Sequence, residues 1–324
     1  MRIVITGGAG FLGRKLAKKI LDLGTLTDAR GARRRVEEVL LLDVAAAQGF
    51  DDPRVRTLAG DIADPAVVAK AVAPGTDSVF HLAAIVSGEA EQDFDLGWRV
   101  NFDATRLLLE RCRTLAQAPK VVFTSSCAVF GGALPDVVPD SQQLTPQSSY
   151  GAQKACGELL VWDYTRKGFV DGRSLRLPTV SVRPGKPNKA ASSFASGIVR
   201  EPLNGVEAIC PVGPQTGMWL TSPRAVVDNI VVAHETPAAA FGASRSINLP
   251  GIATTVAGMI ESLVRVAGAD VAARITMRHD EAIDRIVRTW PRAFDTVFAR
   301  SIGMRADADF DGIVRQYMAD ELQR

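Results

Sequence analysis

The segment GGAGFLG, set directly after the β-branched run Ile3-Val4-Ile5, constrains this chain more than any other feature in it. Three glycines, Gly7, Gly10 and Gly13, stand at three-residue spacing. Between a strand and a helix that spacing suits an anion: Gly7 permits the tight turn, Gly10 lets the backbone come close, and Gly13 lets the helix lie against the strand. Phe11 and Leu12 then begin the helix, whose free amides and positive dipole end face a phosphate. A lone glycine pattern is weak evidence, but here the preceding strand supplies the context the motif requires.

Beyond that loop, short strand-like runs alternate with helical patterns. Strands are expected at RIVIT, VEEVLLLD, RVRTLAG, TDSVFHLAA, KVVFTSS and GRSLRLPTV, with helices over Phe11–Leu23, Pro65–Ala73, Phe94–Leu115 and Tyr150–Lys167. Such alternation implies right-handed crossovers and a doubly wound parallel sheet covered by helices on both faces, an α/β fold. After Pro184 prolines and glycines break the rhythm. The expected division is therefore a dinucleotide-binding domain over residues 1–184 and a mainly substrate-binding lobe over 185–324, with some segments returning to the first. Helices near Pro223–Glu235 and Thr254–Val266 divide between the two.

The 324 residues are 47% hydrophobic and 23% charged with a net charge of +2, enough for a full core and without a nucleic-acid or membrane footprint. Ile3-Val4-Ile5 is too short for a signal-peptide core, and no apolar run approaches the roughly 20 residues of a membrane helix, so a cytoplasmic location is expected. Neither the four cysteines nor His81, His234 and His279 have metal-ligand spacing, which points to reduced thiols and no metal.

An open sheet of this kind expects an acidic residue at the end of its second strand, accepting hydrogen bonds from an adenosine ribose. Asp43, ending VLLLD, is that residue; it lies 30 positions past Gly13, against a usual spacing of about 20. The excess falls in TLTDARGARRR, which reads as a surface loop. A carboxylate here repels the extra phosphate of NADP, so NAD is the expected cofactor, although Arg33, Arg34 and Arg35 could fold back toward the ribose. A strand-end Asp can also simply cap the next turn.

The chemistry is carried by YGAQK, where Tyr150 and Lys154 lie one helical turn apart on one face. A phenol loses its proton near pH 10, so it needs help to act as a base. A neighbouring ammonium and a positive nicotinamide would stabilise the phenolate. KVVFTSS ends with Thr124, Ser125 and Ser126 at the carboxyl edge of a strand, where open parallel sheets bind ligands and where a hydroxyl can hold a substrate oxygen.

In order, GGAGFLG, GDIAD, HLAA, Asn101, TSSCAVFG and YGAQK make the first 185 or so residues resemble the extended short-chain dehydrogenases/reductases, the NAD-dependent epimerase/dehydratase family, with its Rossmann fold. The resemblance implies that Ser126, not Ser125, acts with Tyr150 and Lys154. It implies that Asp61 and Ile62 meet the adenine, that Leu82, Ala83 and Ala84 line the path to the nicotinamide ribose, that Lys154 holds that ribose, and that Asn101 supports the active-site helix on the cofactor side. Phe130 stands where the family often has a tyrosine. A homodimer is implied as well, pairing the Tyr150 helix with the helix containing FDATRLLLERC, although the apolar stripe of that segment could simply face the sheet.

The segments SVRPGKPNKAASSFASGIVREPLNG and ICPVGPQTGMWLTSP are rich in small residues and resemble those of bacterial members that oxidise a four-carbon sugar acid to its 2-oxo acid. That implies a small-molecule 2-hydroxy acid as substrate, with Arg183 gripping its carboxylate and Asn188, Ser192 and Trp219 near it. Arg183 could instead pair with a surface acid. The other readings are a nucleotide-sugar epimerase or dehydratase with tightly bound NAD, and a non-catalytic dinucleotide sensor, which would lose part of the Ser, Tyr, Lys set.

Overall fold

Strand β1 (Arg2–Thr6) is apolar on both faces, as a strand sandwiched between two helix layers must be. Ile3 and Ile5 enter one core and Val4 the other. The computed structural model describes residues 1–187 and 190–322. Its central sheet contains β1, β2 (Glu38–Asp43), β3 (Val55–Ala59), β4 (Thr76–His81), β5 (Lys120–Ser126), β6 (Asp171–Leu177) and β7 (Ser246–Asn248), in the order β7-β6-β5-β4-β1-β2-β3. Every pairing is parallel. The order reverses between β1 and β4, which opens a crevice at their carboxyl ends.

The period of two along each strand sorts its side chains between the two cores. Leu41 of β2, Phe80 of β4 and Val122 of β5 join Ile3 and Ile5 against Leu16 and Ile20 of α1 (Phe11–Leu23). Leu40, Val79 and Val121 face the opposite way, toward Val68 of α2 (Pro65–Ala71), Leu108 of α3 (Ala104–Arg113) and Val161 of α4 (Ser149–Arg166). The long helix expected from Phe94 is broken: helix over Phe94–Trp98, a π turn over Arg99–Asp103, then α3. The apolar stripe of FDATRLLLERC lies on this sheet-facing side of α3 through Ala104, Leu108, Leu109 and Cys112, so it is not available to a partner subunit.

The arginine segment is a two-stranded hairpin, Thr25–Thr27 with Arg33–Arg35, rather than a loop. Asp28 closes it by accepting from the Arg30 and Ala32 amides. It joins the carboxyl end of α1 to the amino end of β2, so topology holds it at the sheet edge opposite Asp43. There Arg34 pairs with Asp77 at 2.8 Å. The arginines do not fold back toward the ribose position.

A second core gathers Val182, Phe194 and Ile198, Met218 and Leu220, and Met259 and Leu263. It is built on the sheet Ile252–Thr255, Gly217–Thr221, Thr179–Val180 and on the pair Ala208–Cys210, Ile275–Met277. Of the two later helices, α5 (Pro223–Glu235) packs with α1 on the central sheet, whereas α6 (Val256–Ala267) belongs to this second core. Among the described residues no helix is long and apolar enough to cross a membrane.

Candidate active site

At the sheet reversal the chain folds back on itself so tightly that only glycine fits. Gly7 has φ +69°, and a Cβ there would meet the Ala83 nitrogen at 2.9 Å; a Cβ on Gly13 would lie 2.2 Å from the Gly7 carbonyl oxygen. The amino end of α1 therefore sits directly over the end of β1. Whereas α2, α4 and α5 start on Asp64, Ser148 and Ser222 side chains that accept from backbone amides, α1 starts on Gly10 with no side-chain cap. Its first-turn amides need an acceptor, and an anionic phosphate suits them.

One cavity of about 600 Å³ runs from this point across the carboxyl edge of the sheet. Its walls include Gly7, Gly10, Phe11, Leu12, Gly13, Asp43, Asp61, Ile62, Leu82, Ala83 and Ala84, and further along Ser126, Tyr150, Lys154, Arg183 and Ser192. Asp43 stands where an adenosine ribose would lie. Its oxygens accept from the Ala9 amide at 2.9 Å and the Val44 amide at 2.8 Å, so it also ties the glycine loop to β2. A carboxylate oxygen has a second lone pair, so capping the loop leaves room for a ribose hydroxyl. Uncapped helix, glycine cradle and strand-end carboxylate together fit a dinucleotide.

Two supporting contacts lie too far apart in sequence to be read from it. Arg99, in the π turn, reaches Asp61 at 2.5 Å and holds its carboxyl below the usual range. Behind the Leu82–Ala84 backbone, Thr6 Oγ1 accepts from the Leu82 and Ala83 amides. Thr6 contacts His81 Nδ1 at 2.7 Å, and His81 Nε2 contacts Thr105 at 2.9 Å. Burial, with the Lys154 charge adding to it, pushes His81 down to about 3, so this imidazole is a neutral spacer.

Ser148 caps α4 on the Gly151 amide, which puts Tyr150 in the first turn and Lys154 one turn deeper. Lys154 Nζ donates to the Thr124 carbonyl at 2.9 Å and lies 4.7 Å over the Phe123 ring and 5.8 Å from the Tyr150 ring. Burial lowers it to about 7, with Glu158 opposing the fall. Burial raises Tyr150 to about 12, the neighbouring Cys127 adding to the rise, against a hydrogen bond with Ser126 and the positive charge of Arg183. The expected acid phenol is thus not made by the chain alone, because desolvation outweighs the Ser126 hydrogen bond and the Arg183 charge.

Beneath Lys154, Ser125 donates to Glu158 at 2.6 Å, and Arg176 grips the same carboxylate at 2.7 Å. Both serines border the cavity, but the Ser125 hydroxyl is committed to Glu158. Phe130 is buried against Phe294, with Arg176 over its ring, and offers no hydroxyl.

Arg183 and Ser192 share the far end of the cavity, joined by a 2.9 Å hydrogen bond. Among the described residues Arg183 has no acidic partner; burial lowers its pKa, Tyr150 raises it and Arg200 lowers it further. Trp219 does not reach the cavity: only 8% exposed, it packs on Phe294. Asn101 is bonded to the Ile85 amide at 2.8 Å and to Gln153 of α4 at 2.7 Å, so it braces the helix from behind the cavity wall. Asn188 is outside the described residues. Trp290, absent from the sequence expectation, completes the wall.

The NAD dependent epimerase/dehydratase family model matches residues 3–234. D-erythronate dehydrogenase of Cupriavidus necator is 57% identical over 320 residues, 99% of this chain and 98% of that protein. D-erythronate dehydrogenase of Haemophilus influenzae is 44% identical over 319 residues, 98% and 99% respectively. A crystal structure described as the nucleoside-diphosphate-sugar epimerase from Agrobacterium tumefaciens is 42% identical, with TM-score 0.93, covering 100% of this chain and 95% of that one.

Two outcomes follow from these charges. Unfolded, Lys154 holds its proton to about 10.5; folded, it releases it near 7, so between those values the unfolded chain binds more protons and stability rises with pH. The unfolding free energy of the wild type relative to Lys154→Met, measured without ligand from pH 6 to 9, will therefore rise with pH; a constant difference contradicts the buried lysine. Catalytic efficiency with NAD will exceed that with NADP at least tenfold, about 1.4 kcal/mol, and Asp43→Asn will narrow the ratio. Equal use of both by the wild type contradicts the role given to Asp43.

Proposed function

The chain belongs to the NAD-dependent epimerase/dehydratase family, and on that basis we propose that it oxidises a short 2-hydroxy sugar acid, D-erythronate, to 2-oxo-tetronate with NAD. The observation that carries this reading is Arg183, a partly buried cation with no acidic partner among the described residues, in the same cavity as Tyr150 and near enough for each to shift the other's pKa. An α-hydroxy acid matches that pair: its carboxylate takes the guanidinium while its hydroxyl meets the phenol. A nucleotide sugar would need space for a second nucleotide, and about 600 Å³ for cofactor and substrate together is modest when a single drug-sized ligand takes about 300–1,000 Å³.

Gly7, Gly10, Phe11, Leu12 and Gly13 would hold the pyrophosphate, Asp43 the adenosine ribose, Asp61 and Ile62 the adenine, and Lys154 with Leu82–Ala84 the nicotinamide half. Bound NAD supplies the hydride acceptor and a positive charge beside the phenol. Tyr150, as phenolate, takes the proton of the substrate hydroxyl, Ser126 donates a hydrogen bond to the same oxygen, and Lys154 stabilises the phenolate. The carbon next to the carboxylate loses its hydrogen with the electron pair, leaving a 2-oxo acid, reduced cofactor and one proton. The division at residue 184 assigns cofactor binding to the first part and most of the substrate wall to the second. Pyridine nucleotide use and four free thiols suit a cytoplasmic enzyme of sugar-acid breakdown.

We also propose a homodimer through α4, whose apolar residues surround the helix. Leu159 and Trp162 remain 56% and 45% exposed on its outer side. Light scattering at micromolar concentration will give twice the 34.6 kDa chain mass; a monomer contradicts the dimer.

A panel of sugar acids and nucleotide sugars, assayed with NAD by absorbance of the reduced cofactor, tests the activity. A four-carbon acid will give sustained reduction, Tyr150→Phe will abolish it while leaving NAD affinity nearly intact, and Arg183→Ala will raise the Michaelis constant at least tenfold. Epimerisation of a nucleotide sugar with no sugar acid oxidised contradicts the reading, and an unchanged Michaelis constant removes Arg183 as the anchor.

A further inference from the structure

Resting on the sugar-acid reading, we infer that Trp290 sets the length of substrate the enzyme accepts, its indole ring closing the end of the cavity and its N–H serving as a hydrogen-bond donor to the distal end of a short acid. Trp290 borders the same cavity as Tyr150, Arg183 and Ser192. It lies outside residues 3–234, the part matched by the family as a whole, so it belongs to the region that can differ between members with different substrates.

The position of this tryptophan is fixed from both sides. On one side a helix over Glu281–Val287 runs into a turn, with the Trp290 amide donating to the Val287 carbonyl at 3.1 Å. On the other, Val138 and Phe294 form a parallel bridge: the Val138 amide donates to the Ala293 carbonyl and the Asp295 amide to the Val138 carbonyl, both at 2.9 Å. Val138 is fully buried and stands on the loop that leads to Tyr150, so the wall and the catalytic helix are anchored to one another. The ring also packs against the second core. A side chain held at both flanks acts as a fixed stop rather than a mobile cover.

The indole nitrogen supplies a second, independent observation. Among the described residues it has no hydrogen-bond partner, and unlike the Trp98 nitrogen it is not sealed inside the protein without one. Trp290 is half-buried and borders a cavity whose walls are mostly apolar, so an indole N–H without a protein partner is a donor available to a ligand hydroxyl there. With Arg183 taking the carboxylate and Tyr150 the adjacent hydroxyl, a hydroxyl further along the substrate is the acceptor left for it. A site that hydrogen-bonds a substrate hydroxyl discriminates more sharply than one that only fills space.

Two variants separate ring from donor. Trp290→Ala removes both; Trp290→Phe keeps most of the bulk and loses the N–H. Each is assayed with NAD and four-, five- and six-carbon aldonic acids, with thermal unfolding to verify folding, and Trp290→Leu replaces the alanine variant if that one fails to fold. The small-residue variant will raise the kcat/KM of the six-carbon acid relative to the four-carbon acid at least tenfold. The phenylalanine variant will keep the exclusion but raise KM for the four-carbon acid about threefold or more. An unchanged length ratio in the small-residue variant overturns the stop, and an unchanged KM in the phenylalanine variant overturns the donor. A wild type that oxidises no sugar acid overturns the functional reading instead, so the two failures are distinct.

Discussion

The contact on which this structure depends is the one between Gly13 and the Gly7 carbonyl, where a Cβ would come within 2.2 Å. Because nothing but hydrogen lies between them, the amino end of α1 rests on the end of β1 instead of standing away from it. An uncapped helix end there directs amides and dipole at one point. Everything else in the cavity is arranged along the sheet edge from that point: Asp43 one strand to one side, Leu82–Ala84 on the other, then Ser126 and the α4 residues beyond. Parallel strands make this possible, since all of them end at the same edge.

The reactive end is governed by the cost of burying charge. Lys154 sits on a backbone carbonyl and an aromatic face rather than in an ion pair, and desolvation takes it to about 7. Glu158 is the acid that favours its charged form, and that carboxylate is itself held by Ser125 and Arg176. Removing one partner of such a buried pair leaves an uncompensated charge, so the pair fixes α4 to β5 and β6 more firmly than its net stabilisation would suggest. Tyr150 is raised to about 12, because burial outweighs the Arg183 charge and the Ser126 hydrogen bond that favour its ionised form.

Features confined to one element and its cap were legible in the sequence. The glycine loop, the one-turn spacing of Tyr150 and Lys154, and the alternation that sends Ile3 and Val4 to opposite cores need only local geometry. Contacts between distant segments were not: Arg99 with Asp61, the Thr6–His81–Thr105 chain, and Trp290 all join residues whose proximity depends on the completed fold. Trp219 was misplaced for the same reason. Its strand, Gly217–Thr221, enters the second sheet and directs the ring toward Phe294. The arginine segment lies at the surface as expected, as a hairpin, and its topology decides the alternative left open for it, a return toward the ribose. A segment that leaves the carboxyl end of a helix and enters the amino end of the next parallel strand must lie opposite the ligand edge, so connectivity alone excludes it from the ribose.

The central claim is that the carbon bearing the hydroxyl beside the carboxylate loses its hydrogen to NAD in a net oxidation. It is tested most directly with D-erythronate carrying deuterium at that carbon, followed by mass spectrometry of cofactor and sugar acid. The account predicts one deuterium in each reduced cofactor formed, in equal amount to the 2-oxo acid, with none washed out to water. Deuterium that stays in the sugar acid, is lost to solvent, or returns to the same carbon without accumulation of reduced cofactor would contradict it.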